Sequence, residues 1–417
     1  MSLPEYIHES DEEGFAELPA FNPKEWIGNG LQWVDTMPRC VVRARNEARR
    51  IPLGVLANIV PQQGTPIAAV LRCYTPPTKI IETNVACYSH DHPTVLLEIS
   101  CLTIDVASPY LLAAASSGCV SSLRATFNTS WLAGAKSIHL PSDPMQRYPL
   151  WVENVLGELE ISQAKQTQWM DAAEWLSSVA NGAAECPVLA IDCEESWEVI
   201  PWDTEVPGFG KAVHLHTKEL AQFLSNQWLT DEMVNAGLDY LLRELGMGSR
   251  VSLANSLLLP TLEAMRDRGG YNPKIRSLLD QAIQANDVDE IHFPVNISNL
   301  HWTLLSVDIR EFTYSYSDSR SKSAHAPNSV IKSVEWWLKL LCPELHDEEL
   351  KEVDAVYEMP TQEDTFSCGV VVLSTLAAHL KVGDEPWTQH TYAVHRMRWY
   401  LRLSEQLADS SEVKHFI

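Results

Sequence analysis

The residues that could make a thiol nucleophile, its base and an orienting acid occur as Cys368, His301 and Asp318. A cysteine attacks a carbonyl as its thiolate, so it needs a base within reach, and the base needs a partner that fixes its tautomer. Cys368 lies in TQEDTFSCGVVVLSTLAAHL, residues 361–380, with no second cysteine nearby and an apolar run behind it. A cysteine in such a place is ordinarily a small buried hydrophobe. If the run is a strand, as Val370–Val372 favour, Cys368 gains nothing from its neighbours. If it is a helix, as LSTLAAHL favours, Cys368 sits in the first turn, where unpaired amides and the positive dipole end lower a thiol pKa. Periodicity leaves both open. Gly369 gives the backbone room for close approach by a substrate. Gln362 carries a neutral amide that can donate to a developing oxyanion.

The chain brings His301 to Asp318 without any appeal to kinship. WTLLSVD (302–308) and FTYSYSD (312–318) have strand composition, and only Ile309, Arg310 and Glu311 separate them. So short a link permits only an antiparallel hairpin. With the turn centred near Arg310, residue 302 faces residue 318, so His301 and Asp318 meet at one edge of the sheet. A slip of one residue in register leaves them neighbours.

Other elements support this edge. IHFPVNI (291–297) reads as a third strand, and His292 within it as a structural residue. Thr230 or Asp231 caps a helix whose apolar face is Val234, Leu238, Leu241, Leu242 and Leu245, ended by Gly246. HTKELAQFLSNQ (216–227), SVIKSVEWWLKLLCPEL up to about Pro343, and YAVHRMRWYLRLSEQLA also have helical patterns. In the first half, VLANIV (55–60) and AAVLRCY (68–74) read as strands, and SQAKQTQWMDAAEWLSSVA (162–180) as an amphipathic helix. WEVIPWDTEVPGFGKA (197–212), with two Pro and two Gly, reads as a linker or extended lead-in.

The order HW (301–302), D-S (318–319) and Q-x5-C-G (362–369) resembles the ubiquitin-like-protein-specific cysteine proteases, the SUMO- and Nedd-type group whose fold is shared with adenovirus protease. WLTD (228–231) is similar to the W-L-N-D signature of that catalytic domain, and HFPVNISNLHWTLLSVD to its strand pair. The resemblance covers about residues 210–417. It implies an α+β, papain-like fold, with Cys368 as nucleophile, His301 as base, Asp318 as its orienter and Gln362 as oxyanion donor. It also implies a helix after Cys368. Trp228 and Trp302 match two indoles that clamp a di-glycine tail, and Asp231 and Gly369 belong to the same substrate-binding motifs. The implied partner is a ubiquitin-like modifier, SUMO-type, and its conjugates. Two departures stand out: Thr230 replaces the usual Asn, and Ser367 stands where the family often has Asp. Rival readings are an acyltransferase on the same fold, a deubiquitinase-like specificity, and a non-catalytic binder.

Composition narrows the classes. A formal net charge of -24 disfavours broad nucleic-acid binding, with RCVVRARNEARR (39–50) as the one basic patch. Nine cysteines without a C-x-x-C pair argue against disulfide or zinc-ribbon scaffolds and for a reducing, intracellular setting in nucleus or cytoplasm. No H-E-x-x-H, P-loop or G-x-G-x-x-G occurs, so no metal or cofactor is expected. Glu98 and Asp105 interrupt the longest apolar stretch, 94–123, which reads as core rather than membrane span. The expected organisation is an acidic tail (1–25), a mixed α/β region of no nameable family (26–207) and the catalytic domain (208–417).

Overall fold

A computed structural model describes residues 22–56, 60–72, 87–94, 119–140, 143–182, 185–210, 213–246, 248–270, 278–383 and 385–413. Residues 1–21 of the acidic tail and most of the 94–123 stretch lie outside the described residues, while Pro23–Trp26 form a helical turn. The chain divides into two compact units, one from residues up to 62 together with 73–164, the other from 63–72 together with 165–417.

The first unit contains α1 (Arg39–Arg49), β1 (Cys87–Ser89), α2 (Cys119–Leu132), β2 (Ser137–Leu140), β3 (Asp143–Pro149) and the start of α3 (Val152–Val179). The three strands form an antiparallel sheet in the order β1-β2-β3. Its core holds Val41, Phe127, Ile138, Tyr148 and Leu156. The basic patch is the amphipathic helix α1, and part of it has an internal use. Arg49 bonds the carboxylate of the fully buried Glu153 through both Nε and Nη2, at 3.1 and 2.7 Å. Arg124 reaches the other oxygen at 3.2 Å. A carboxylate taken out of water needs such matched, hydrogen-bonded partners.

The second unit contains the remainder of α3, then α4 (Cys186–Ser196), α5 (Asp231–Leu245), β4 (Val251–Leu253), α6 (Leu258–Asp267), β5 (Glu290–Ile297), β6 (His301–Asp308), β7 (Thr313–Ser317), α7 (Asn328–Leu341), β8 (Lys351–Glu352), α8 (Cys368–His379) and α9 (Tyr392–Val413). Its sheet has the order β4-β5-β6-β7-β8, antiparallel in the middle and parallel at both edges. Side chains alternate across a strand, so the sheet feeds two cores. Trp302 and Leu304 join the residues of α8 and α9. Ile291, Phe293, Leu305 and Val307 join Val334, Trp337 and Leu338 of α7.

The ambiguous run after Cys368 is a helix because it is enclosed on all sides. Every residue from Cys368 to Ala377 is buried. Burial of three valines outweighs the few tenths of a kcal/mol that β-branching costs a helix. Gly237 of α5 lets that helix approach closely, since a Cβ there would stand 2.7 Å from the Leu373 methyls. Thr230 caps α5 by accepting from the Met233 amide, and Gly246, at φ 73°, ends it.

Several expectations are corrected. Residues 67–72 form a helix, not a strand; Val55 and Leu56 are helical, and 57–59 lie outside the described residues. In both cases apolar, β-branched composition misled, because a short buried helix carries the same composition. The 216–227 segment keeps one helical turn, Thr217–Leu220, and continues in turns. The 197–212 stretch is no linker: Trp197, Ile200, Trp202 and Val206 are buried in the core that also holds Cys368. The second unit takes in residues 63–72 and everything from Lys165 on, so it reaches well before residue 208.

In the β6–β7 hairpin, Leu304 faces Ser317 and Asp308 faces Thr313, one residue from the expected register. The turn has four residues because buried Phe312 takes φ 49° and leaves the ladder. Asp308 Oδ1 fixes the turn by accepting from the amides of Arg310 and Glu311.

Candidate active site

Cys368 is the first residue of α8, and the loop before it is held rigidly. The Asp364 carboxylate accepts from the amides of Phe366 (2.9 Å) and Ser367 (2.7 Å), the Ser367 hydroxyl (2.7 Å) and Gln389 Nε2 (2.9 Å). Burial raises the pKa of this carboxyl, but donation by Gln389 and Ser367 and by the two amides outweighs it and holds the group below its ordinary value. Ser367, the position where the resembling family often has Asp, thus serves as a donor to a carboxylate three residues earlier.

Behind the loop lies Arg396, wholly buried on α9. Its guanidinium donates to the carbonyls of Gln222 (3.1 Å), Gln227 (2.8 Å) and Phe366 (3.0 Å) and covers the Phe366 ring at 5.3 Å. Burial pulls its pKa down to about 10, while Asp364, Tyr392 and Cys368 oppose that shift. It stays a cation at neutral pH. One side chain so ties the segment before Trp228 to the segment before Cys368.

The thiol is 1% exposed. Burial raises its pKa; the backbone N–H of Trp302, then that of Gly369, the Arg320 charge and its own N–H lower it, and burial prevails. Trp302 directly follows His301, so the amide that meets the sulfur belongs to the residue next to the imidazole.

His301 Nε2 lies 2.7 Å from Asp318 Oδ1. The same oxygen accepts the Arg320 amide at 2.7 Å, which fixes the carboxylate. A carboxylate only accepts, so Nε2 carries the proton and Nδ1 keeps its lone pair. Nδ1 is buried, with no hydrogen-bond partner among the described residues. A free Nδ1 lone pair can take a proton, and a thiolate at the head of α8 can attack a carbonyl.

Gln362 is buried and bridges two parts of the site. Its Oε1 accepts from the Ser319 hydroxyl at 2.6 Å, and its backbone amide donates to the Ser319 carbonyl at 2.9 Å. Because the oxygen is spoken for, the other end is the NH2 group, which donates to the Asp364 carbonyl at 2.9 Å and keeps a second N–H.

Trp228 is 42% exposed and its indole N–H donates to the Thr365 carbonyl at 2.7 Å. Trp302 is buried and donates to the Leu229 carbonyl at 3.1 Å. Asp231 opens α5 and is hydrogen-bonded to Asn296; burial raises its pKa, Glu232 adds to the rise, and Asn296 opposes it. The space beside Gly369 is filled by Leu229, whose Cβ would stand 3.0 Å from a Cβ at 369. Glycine there lets the WLTD segment pack against the nucleophile helix, where the sequence suggested room for a substrate.

Three site residues escaped the sequence reading. Arg396 falls four and seven residues before the buried Tyr400 and Leu403, a charge on an apolar stripe, and that placement was the available signal. Asp364 and Arg320 sit in loops, and no periodicity marks them.

Residues 227–410 match the Ulp1 protease family, C-terminal catalytic domain. Ubiquitin-like-specific protease 1 of Saccharomyces cerevisiae is 22% identical over 162 residues, 38% of this chain and 24% of that protein. The chain thus spans about a quarter of the length of this curated relative. Among solved structures, the yeast C-terminal Ulp1 protease domain in complex with Smt3, the yeast ortholog of SUMO, gives a TM-score of 0.40 at 18% identity, covering 51% of this chain and 92% of that one. The Chaetomium thermophilum Ulp1-like SUMO protease catalytic domain gives 0.42 at 19% identity, covering 52% and 89%. Residues 227–410 thus carry a match to a Ulp1-family protease catalytic domain, within a unit that mixes helix and sheet.

Proposed function

We propose that the second unit cleaves peptide or isopeptide bonds after the Gly-Gly end of a ubiquitin-like modifier, SUMO-type, by thiol acyl transfer. The observation that carries this reading is the His301–Asp318 hydrogen bond of 2.7 Å beside a thiol at the head of α8. Asp318 holds the imidazole, and Nδ1 takes the proton from Cys368. The thiolate forms a C–S bond with the carbonyl carbon of the terminal glycine. The oxyanion accepts from the Cys368 amide and from the second N–H of Gln362. As the C–N bond breaks, the imidazolium returns its proton to the leaving amine. Water, deprotonated by His301, then releases the modifier carboxylate and restores the thiol. The two indoles suit a tail without side chains, which can lie flat between rings.

The test is a panel of SUMO, Nedd-type and ubiquitin probes carrying a C-terminal electrophile. SUMO labelling that disappears in Cys368→Ala supports the reading. Labelling by ubiquitin alone would replace the SUMO-type assignment with a deubiquitinase. Labelling by no probe, with the fold intact by circular dichroism, would remove the protease reading in favour of an acyltransferase or a binder.

A further inference from the structure

A second cluster of ionisable side chains lies at the opposite end of α8 from the thiol. Glu290 and His292 are alternate residues of β5 and share a sheet face. Ser306, directly across from His292, donates to Glu290 Oε1 at 2.9 Å and orients that carboxylate. His379, the last residue of α8, meets the same face, its ring 5.6 Å from that of His292. One ligand atom from each of Glu290, His292 and His379 lies within 4.8 Å of the others.

The imidazole of His292 is fully buried, and its polar atoms are asymmetrically used. Nδ1 is hydrogen-bonded to the Tyr357 hydroxyl. Nε2 is buried without a hydrogen-bond partner and lies 3.7 Å from Glu290 Oε1. That gap is too long for a hydrogen bond. It is close to the roughly 3.4 Å edge of a tetrahedron whose metal–ligand bonds are about 2.1 Å. The Tyr357 hydroxyl can accept from Nδ1–H, and in that tautomer the lone pair of Nε2 points at the gap, an arrangement that commonly fixes a metal-binding histidine.

We propose that Glu290, His292 and His379 bind one zinc-class divalent ion, with water as the fourth ligand. Two imidazoles and one carboxylate suit this borderline metal. A cavity of about 150 Å³ lined by Tyr357, Thr375, His379 and Trp387 lies beside one of the three ligands. The ion pins the last residue of the nucleophile helix to β5, the strand paired with the one that carries His301. No local motif announces the site, because Glu290 and His292 form only an E-x-H pair and the third ligand, His379, lies far along the chain. It stands independently of the proposed protease activity.

The full chain carrying Cys368→Ser, which removes the catalytic thiol as a competing ligand, is stripped with a chelator and titrated with zinc and cobalt(II) by calorimetry and visible absorption. The expected result is one saturable equivalent, a tetrahedral cobalt band, and a melting midpoint raised by about 5 °C at a hundredfold excess over Kd. Adding His379→Ala, an exposed position, or Glu290→Gln weakens binding by at least about tenfold and abolishes the band. Absence of a saturable equivalent would overturn the proposal. So would an affinity and a cobalt spectrum unchanged in both variants.

Discussion

Two buried histidines on adjacent, paired strands each lie near a carboxylate. His301 meets Asp318 at 2.7 Å and bonds it, whereas His292 stands 3.7 Å from Glu290 and bonds Tyr357 instead. The ring atoms differ as well. The nitrogen left over in His301 is Nδ1, and in His292 it is Nε2. One angstrom and a choice of nitrogen separate the proposed base from the proposed metal ligand. The lesson is that a carboxylate near a histidine does not define a role; the partner of the other nitrogen does.

That contrast can be broken at several levels. On the proposed mechanism, His301→Ala slows modifier cleavage by about 10³-fold or more, as does Cys368→Ala, while binding of the modifier persists. Asp318→Asn costs less, about 10- to 100-fold, because orientation is only part of the rate. Single-turnover kinetics would show this order, and equal losses would remove Asp318 from the orienting role. His292→Ala should act on stability instead. It empties a buried site and strands Tyr357, costing about 2 kcal/mol in denaturant unfolding, with cleavage per folded molecule within about twofold. A loss in cleavage matching His301→Ala would erase the distinction between the two rings.

The smallest effect concerns the thiol itself. Arg320 lowers the Cys368 pKa against burial, so Arg320→Gln should raise it. Alkylation by iodoacetamide at pH 7 should then slow about two- to threefold, with the pH–rate curve moved to higher pH. An unchanged curve would show that the backbone amides alone offset burial.

The pairing of His301 with Asp318 was legible because a three-residue link dictates a hairpin, and a slip of one residue does not separate strand ends. The helix capped by Thr230 was equally legible, since cap, apolar stripe and terminal Gly246 agree. Residues 67–72 were not, because strand and buried helix share a composition when the segment is short. The Pro- and Gly-containing stretch at 197–212 suggested a linker, yet its tryptophans carry enough apolar surface to enter the core. Gly369 was noticed as room for a substrate, and only the packed structure shows that Leu229 occupies the space a side chain there would need. Arg396 was hidden because its three acceptors are backbone carbonyls, which any sequence supplies.

Arg396 also bears on the order of events during synthesis. The carbonyls it holds, at 222, 227 and 366, flank the thiol, while the cation itself lies on α9, downstream of every residue of the proposed triad. A nascent chain that has emerged only as far as α8 already has Cys368, His301 and Asp318, but lacks the clasp that joins the two loops around them. On the proposed mechanism such a chain should not yet cleave, and activity should appear only once α9 has docked against those loops.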